Sequence, residues 1–189
     1  MDIISLTTLA ISALGIIVAL LAVGVQTRQN NRALGVTILR DLEKDFLWSE
    51  EMRSKRLALV TFLLSRQAGD PASPEVAYIL DFFDSLGLYH NKGVIDTEMA
   101  WVMFYYWLGH YWQLLKEDAD ATEHTEEGIL FYKNVRLFYK KLTEFGRKHR
   151  NLPPEEKYFS PENLQGFLKG EIRNCAPHAA QNALQTNNS

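Results

Sequence analysis

Residues 3–25 read IISLTTLAISALGIIVALLAVGV, 23 residues without an Asp, Glu, Lys or Arg. All 20 basic residues of the 189-residue chain, and all but one of its 23 acidic residues, therefore lie after this run. As a helix rising 1.5 Å per residue it extends about 34 Å, enough for a hydrocarbon core of roughly 30 Å. A secretory signal peptide is the first competitor, but it has a basic leader and an apolar run of only about 7–15 residues. Here nothing basic precedes the run, and no small-residue cleavage site follows it. Asp2 lies on one side, and Arg28, Arg32 and Arg40 lie on the other. By the positive-inside rule the amino terminus faces out and the rest of the chain faces the cytoplasm. The expectation is a single-pass membrane anchor over residues 1–29.

Within the run, Ser5, Thr8, Ser12, Gly15, Ala19 and Ala22 recur at intervals of three and four, and Gln26 and Gln29 extend the register. A 3.5-residue period keeps these positions on one side of a helix. Small residues let membrane helices approach closely, and hydroxyls can bond across the interface. The plain reading is a packed homo-oligomer. The sharper one is a ring of parallel helices whose polar and small inner wall encloses a narrow pore. No ionisable residue lines the stripe, which argues against strong charge selectivity or proton pumping.

Outside the run every persistent pattern is helical, so the fold class is all-α. The sequence predicts an anchor continuing into a cytoplasmic bundle of about five or six helices over residues 30–175, then a disordered tail over 176–189. Leu34, Ile38, Leu42 and Phe46 mark one helix, to about Met52. Leu57, Val60, Leu63 and Leu64 mark another over Glu51–Arg66, which the Gly69-Asp70-Pro71 turn stops. Ser73-Pro74-Glu75 and Ser160-Pro161-Glu162 are helix starts, and Asp96 caps a third segment. That segment, Met99–Leu115, has no Asp, Glu, Lys or Arg and is rich in rings, which reads as the central helix of a bundle. A membrane span, an interfacial role and base stacking are its weaker readings. Glu117–Glu127 reads as an exposed acidic loop. Gly128–Arg150 reads as an amphipathic helix whose polar side gathers Lys133, Arg136, Lys140, Lys141, Arg147, Lys148 and Arg150, a solvated face or a contact for lipid head groups or RNA.

Composition narrows the chemistry. A formal net charge of −3 with 47% hydrophobic residues excludes a basic nucleic-acid coat, an acidic disordered chain and a multi-span transporter. The single cysteine, Cys175, excludes a disulfide framework and a cysteine-built zinc site. The five histidines (His90, His110, His124, His149 and His178) show no i, i+4 metal pairing, so no metal and no cofactor is expected. One string stands out: Arg173-Asn174-Cys175-Ala176-Pro177-His178. It resembles the R-N-x-x-x-H signature of HEPN ribonucleases. The resemblance implies Arg173, Asn174 and His178 as catalytic residues, with histidine as acid or base and arginine on phosphate charge.

A second resemblance rests on Asp81-Phe82-Phe83-Asp84-Ser85-Leu86-Gly87-Leu88-Tyr89, then Lys92-Gly93-Val94-Ile95-Asp96, Tyr105-Tyr106-Trp107 and Tyr111-Trp112. This pattern resembles a family of small bacterial proteins of unknown function with an amino-terminal membrane helix and a helical cytoplasmic domain. With the HEPN-like string it looks like the membrane accessory proteins of type VI-B CRISPR systems. That likeness implies an RNA-guided effector or RNA as partner, and a multimeric membrane pore in antiviral defence. Three functions follow as expectations: a pore that permeabilises or depolarises the membrane, a membrane-tethered HEPN-like ribonuclease, or a tethered interaction module.

Overall fold

The computed structural model describes residues 3–67, 70–123 and 131–176; within the first helix the side chains of 3–14, 17, 28, 31 and 32 lie outside the description. Seven helices are described: α1 (Ile3–Trp48), α2 (Glu50–Ser65), α3 (Pro74–Asn91), α4 (Thr97–Glu123), α5 (Lys133–His149), α6 (Glu155–Tyr158) and α7 (Pro161–Cys175). There is no strand among the described residues, so the expected all-α class is observed.

The local start signals work as read. The Ser73 and Ser160 side chains accept from the backbone N–H groups of Glu75 and Asn163, and both helices place proline in the first turn. Asp96 accepts from the N–H groups of Glu98 (2.9 Å) and Met99 (3.2 Å) and so opens α4. The first helix ends earlier than expected. The α1 helix stops at Trp48, because Ser49 adopts an extended backbone and caps α2 by accepting from Met52 N–H at 3.1 Å.

The α4 helix is the centre of the bundle. Phe104, Leu108, Tyr111 and Leu115 are inaccessible or nearly so, whereas Val102 and Tyr106 reach the surface. The central-helix reading of Met99–Leu115 is therefore observed. Phe46 from α1 is the hub of the core, stacked on Phe82 at 4.7 Å and edge-on to Phe104, Trp107 and Tyr111. The α3 and α5 helices pack closest at Gly87, where an added Cβ would meet the Asn134 carbonyl oxygen at 2.5 Å. Asp84 reaches from α3 to cap α5, accepting from Val135 N–H and from the Asn134 side chain, both at 2.9 Å.

Two expectations need correction. Residues 117–123 are not an exposed acidic loop but the last turns of α4, and Asp118 is buried there in a two-pronged pair with Arg66, both contacts 2.8 Å. Residues 124–127 lie outside the described residues. Ala176, assigned to the disordered tail, belongs to the bundle: it is 5% exposed, and its carbonyl accepts from Arg53 at 3.3 Å. Residues 177–189 lie outside the described residues.

Candidate functional site

Among the described side chains of α1, those built into the bundle lie in its carboxy-terminal part. Leu39 and Phe46 are fully buried, and Gly35 packs so closely that an added Cβ would collide with the Val94 carbonyl. Toward the amino terminus the same unbroken helix leaves the bundle. Ile16, Val18, Leu20, Leu21, Val23 and Val25 are each 57–66% exposed, and they point to several sides of the helix. Of the predicted stripe, Gly15, Ala19, Ala22, Gln26 and Gln29 fall on this free segment and are exposed. An added Cβ at Gly15 or Gly24 would meet nothing within 4 Å. The side chains of Ser5, Thr8 and Ser12 lie outside the described residues. Among the described residues no helix is long and apolar enough to cross a membrane. The predicted span is therefore not observed among the described residues.

The HEPN-like string divides. Arg173 and Asn174 occupy the last turn of α7, and His178 lies outside the described residues. The expected pairing of His178 with Arg173 is therefore outside the described residues. The structure brings Arg173 and Asn174 to a cavity of about 450 Å³ at the joint of α1, α2, α4 and α7, with Leu47, Trp48, Arg53, Arg56 and Trp107. None of its lining residues is a carboxylate.

Behind that cavity lies a polar cluster that the sequence reading missed. Arg56, 2% exposed, donates to both Glu171 oxygens through Nε (2.8 Å) and Nη2 (2.7 Å), and through Nη1 to the Phe46 carbonyl at 2.8 Å. Glu171 is equally buried and accepts a further bond from the Tyr111 hydroxyl at 2.5 Å. Burial first, and the Glu171 charge second, hold the Tyr111 hydroxyl well above its usual 10.0, so it stays a donor. Each member satisfies the others, which is the condition for a buried charge pair to be tolerated. Burial also raises the Cys175 thiol to about 11, away from the reactive thiolate form.

Three of the seven cations on the basic side of α5 pair with neighbouring elements: Arg136 with Asp120 (2.7 Å), Arg147 with Glu155 (2.9 Å) and Arg150 with Glu98 (2.5 Å). His110 is stacked on Phe167 at 4.6 Å with its Nδ1 2.6 Å from the Tyr106 carbonyl, and His90 Nε2 lies 2.9 Å from the Thr97 hydroxyl. Both are core histidines. Among the described residues no group of His, Cys, Asp and Glu is placed to hold a metal ion.

No known protein family, no curated protein and no solved structure matches the chain.

Proposed function

We propose that the chain is a single-span inner-membrane protein that self-associates along α1 and permeabilises the bilayer, with the helical bundle on the cytoplasmic side. One observation carries the reading: α1 is continuous from Ile3 to Trp48, buried in the bundle at Leu39 and Phe46, yet clear of it with exposed aliphatic side chains before residue 26. A helix that is apolar all round belongs in apolar surroundings. Six large aliphatic side chains more than half exposed on one free rod exceed what a lone soluble chain ordinarily shows to water.

Two coverings satisfy such a rod together. Ile16, Leu20, Leu21 and Val23 suit lipid, while the Gly15, Ala19 and Ala22 side suits another copy of α1. Gln26 and Gln29 continue that side at the membrane surface and supply polar groups to the mouth of a ring. Because α1 enters the bundle without a break, a movement of the bundle is transmitted to the span. An accessory role in antiviral defence is the setting in which such a pore would act. The alternative is a membrane-tethered HEPN-like ribonuclease, of whose three residues Arg173 and Asn174 line one cavity and His178 lies outside the described residues.

The test is purification of the full chain in mild detergent, mass measurement, imaging, and dye release from liposomes. The expected result is a ring that leaks dye, with Gly15→Leu plus Ala22→Leu abolishing leakage and Leu20→Ala preserving it. A monomer that leaves liposomes tight would overturn the proposal. An unrelated span replacing residues 1–29 with function intact would reduce α1 to a tether.

A further inference from the structure

The end of the bundle that receives α1 carries a surplus of cations, and the contacts show which residues share that end. Gly35 of α1 packs against the Val94 carbonyl in the α3–α4 turn, and Phe46, further along, meets Phe104 and Tyr111. The α1 and α4 helices therefore run in the same direction. The α5 helix runs against them: Arg150 pairs with Glu98, the Thr143 hydroxyl lies 3.3 Å from that of Tyr105, and Arg136 pairs with Asp120. The free rod of α1, the α3–α4 turn and the last turns of α5 thus lie at one end, and the start of α5 lies at the other.

At the α1 end Lys92, Lys141 and Lys148 are exposed, and none has a carboxylate partner among the described residues. Lys141 Nζ donates to the neutral Asn91 side chain at 3.2 Å. The carboxylates nearby are mostly committed. Glu98 and Glu155 are held by Arg150 and Arg147, and Asp96 accepts from the first N–H groups of α4, which leaves Glu144 against the three lysines. Along α1 the sequence adds Arg28 and Arg32 and places no carboxylate between Asp2 and Asp41. This occurs in a chain whose net charge is −3. At the far end Asp118 holds Arg66, Asp120 holds Arg136, and Glu117 stands on the same turns of α4.

Distance decides what such a surface can reach. With the hydrocarbon edge at residue 25, about ten residues of helix, or about 15 Å, separate it from Gly35. Head groups fill roughly 5–7 Å of that interval. The remaining gap of about 8–10 Å is one Debye length at physiological salt, before a lysine side chain extends into it. Ammonium groups on flexible stems suit a diffuse anionic surface better than one forked ligand. Clustered cations just cytoplasmic of a span meet the leaflet in which anionic lipids collect. We propose that this end of the bundle docks on the head groups of anionic phospholipids through Lys92, Lys141 and Lys148, an inference that rests on the membrane reading of α1.

The experiment is amine modification of the full chain in vesicles, using a membrane-impermeant acetylating reagent and peptide mass spectrometry. One set of vesicles is phosphatidylcholine, and the other contains about one-third phosphatidylglycerol, both in about 0.1 M salt. Lys92, Lys141 and Lys148 should react at least about two-fold more slowly in the anionic vesicles, because the surface potential favours their charged form. Lys133, about 22 Å farther along α5 than Lys148, should react equally in both. Salt at about 1 M should remove the difference. Lys92→Glu with Lys148→Glu, both at exposed side chains, should abolish the slowing at Lys141, whereas Lys133→Glu should leave it. Equal rates in the two vesicles overturn the inference, as does equal slowing at Lys133 and Lys148. Slowing produced by an added RNA oligomer or inorganic phosphate, and not by phosphatidylglycerol, also overturns it. Extraction of the chain from vesicles by alkaline carbonate would sink the span and this inference together. Retention in the vesicles with equal rates sinks this inference alone.

Discussion

Replacement of Arg56 by methionine tests the buried cluster directly. The change removes three hydrogen bonds of 2.7–2.8 Å and leaves Glu171, 2% exposed, with the Tyr111 hydroxyl as its remaining donor in the cluster. Breaking a buried pair by removing one partner costs about 3–5 kcal/mol, because the surviving charge stays desolvated. For a chain of this size each kcal/mol shifts the midpoint by about 2–4 °C, so Arg56→Met should lower Tm by about 6–20 °C. Removing both charges is a different perturbation. Arg56→Met with Glu171→Leu fills similar volume and strands no carboxylate, so most of the loss should return. The Phe46 carbonyl still loses its donor, which leaves a deficit of about 1 kcal/mol. The assay is thermal unfolding of the full chain in mild detergent, followed by far-UV circular dichroism for wild type, both single variants and the double. The reasoning is refuted if each single change costs less than about 1 kcal/mol. It is equally refuted if the double variant loses the sum of the two singles, since side chains that act through one another do not add.

Two further outcomes follow from packing and burial. Gly87→Ala places a methyl against the Asn134 backbone at 2.5 Å and should cost about 1–3 kcal/mol, while Gly166→Ala, in open space on α7, should gain about 0.5–1 kcal/mol in the same unfolding assay. Burial lowers His110, against smaller opposing effects of the Tyr106 carbonyl and the Glu171 charge; burial and then the Lys141 charge lower His90. The unfolded chain, titrating near 6.5, therefore binds protons first, so this contribution is complete above about pH 6.5 and is lost as pH falls through the depressed folded values. His110→Phe should flatten that acid limb of stability between about pH 7 and 5; an unchanged slope would show that His110 does not contribute.

Much of the bundle was legible because its signals are local. A capping serine, a proline in the first turn and a ring-rich uncharged stretch each report on a few neighbouring residues, and Ser73, Ser160 and Phe104 ended where those signals placed them. The family-like stretch around Asp81–Tyr89 also finds a physical account. Phe82 and Phe83 fill the core, Asp84 caps α5 and Gly87 lets α5 approach, so the pattern encodes packing. The acidic stretch after Leu115 was misread because charge suggested solvent. Arg66, 52 residues away, supplies a partner that turns Asp118 inward.

The candidate cavity was hardly legible at all. Arg173 and Asn174 were singled out for a spacing to His178, yet their described neighbours are Trp48, Arg53 and Arg56. Arg56 and its partner Glu171 lie 115 residues apart. No period or turn rule connects such positions, since side chains that far apart meet only after every intervening helix has packed.

Read one turn at a time, the chain discloses its helices, their caps, and an uncharged run with small residues on one side, because each depends on backbone bonds or solvation within a few residues. The meeting of Arg56 with Glu171, and of Trp48 with Arg173, was settled by the assembled bundle alone. Burying a charge is tolerable only when a partner comes within about 3 Å, and that proximity is a property of the packed helices.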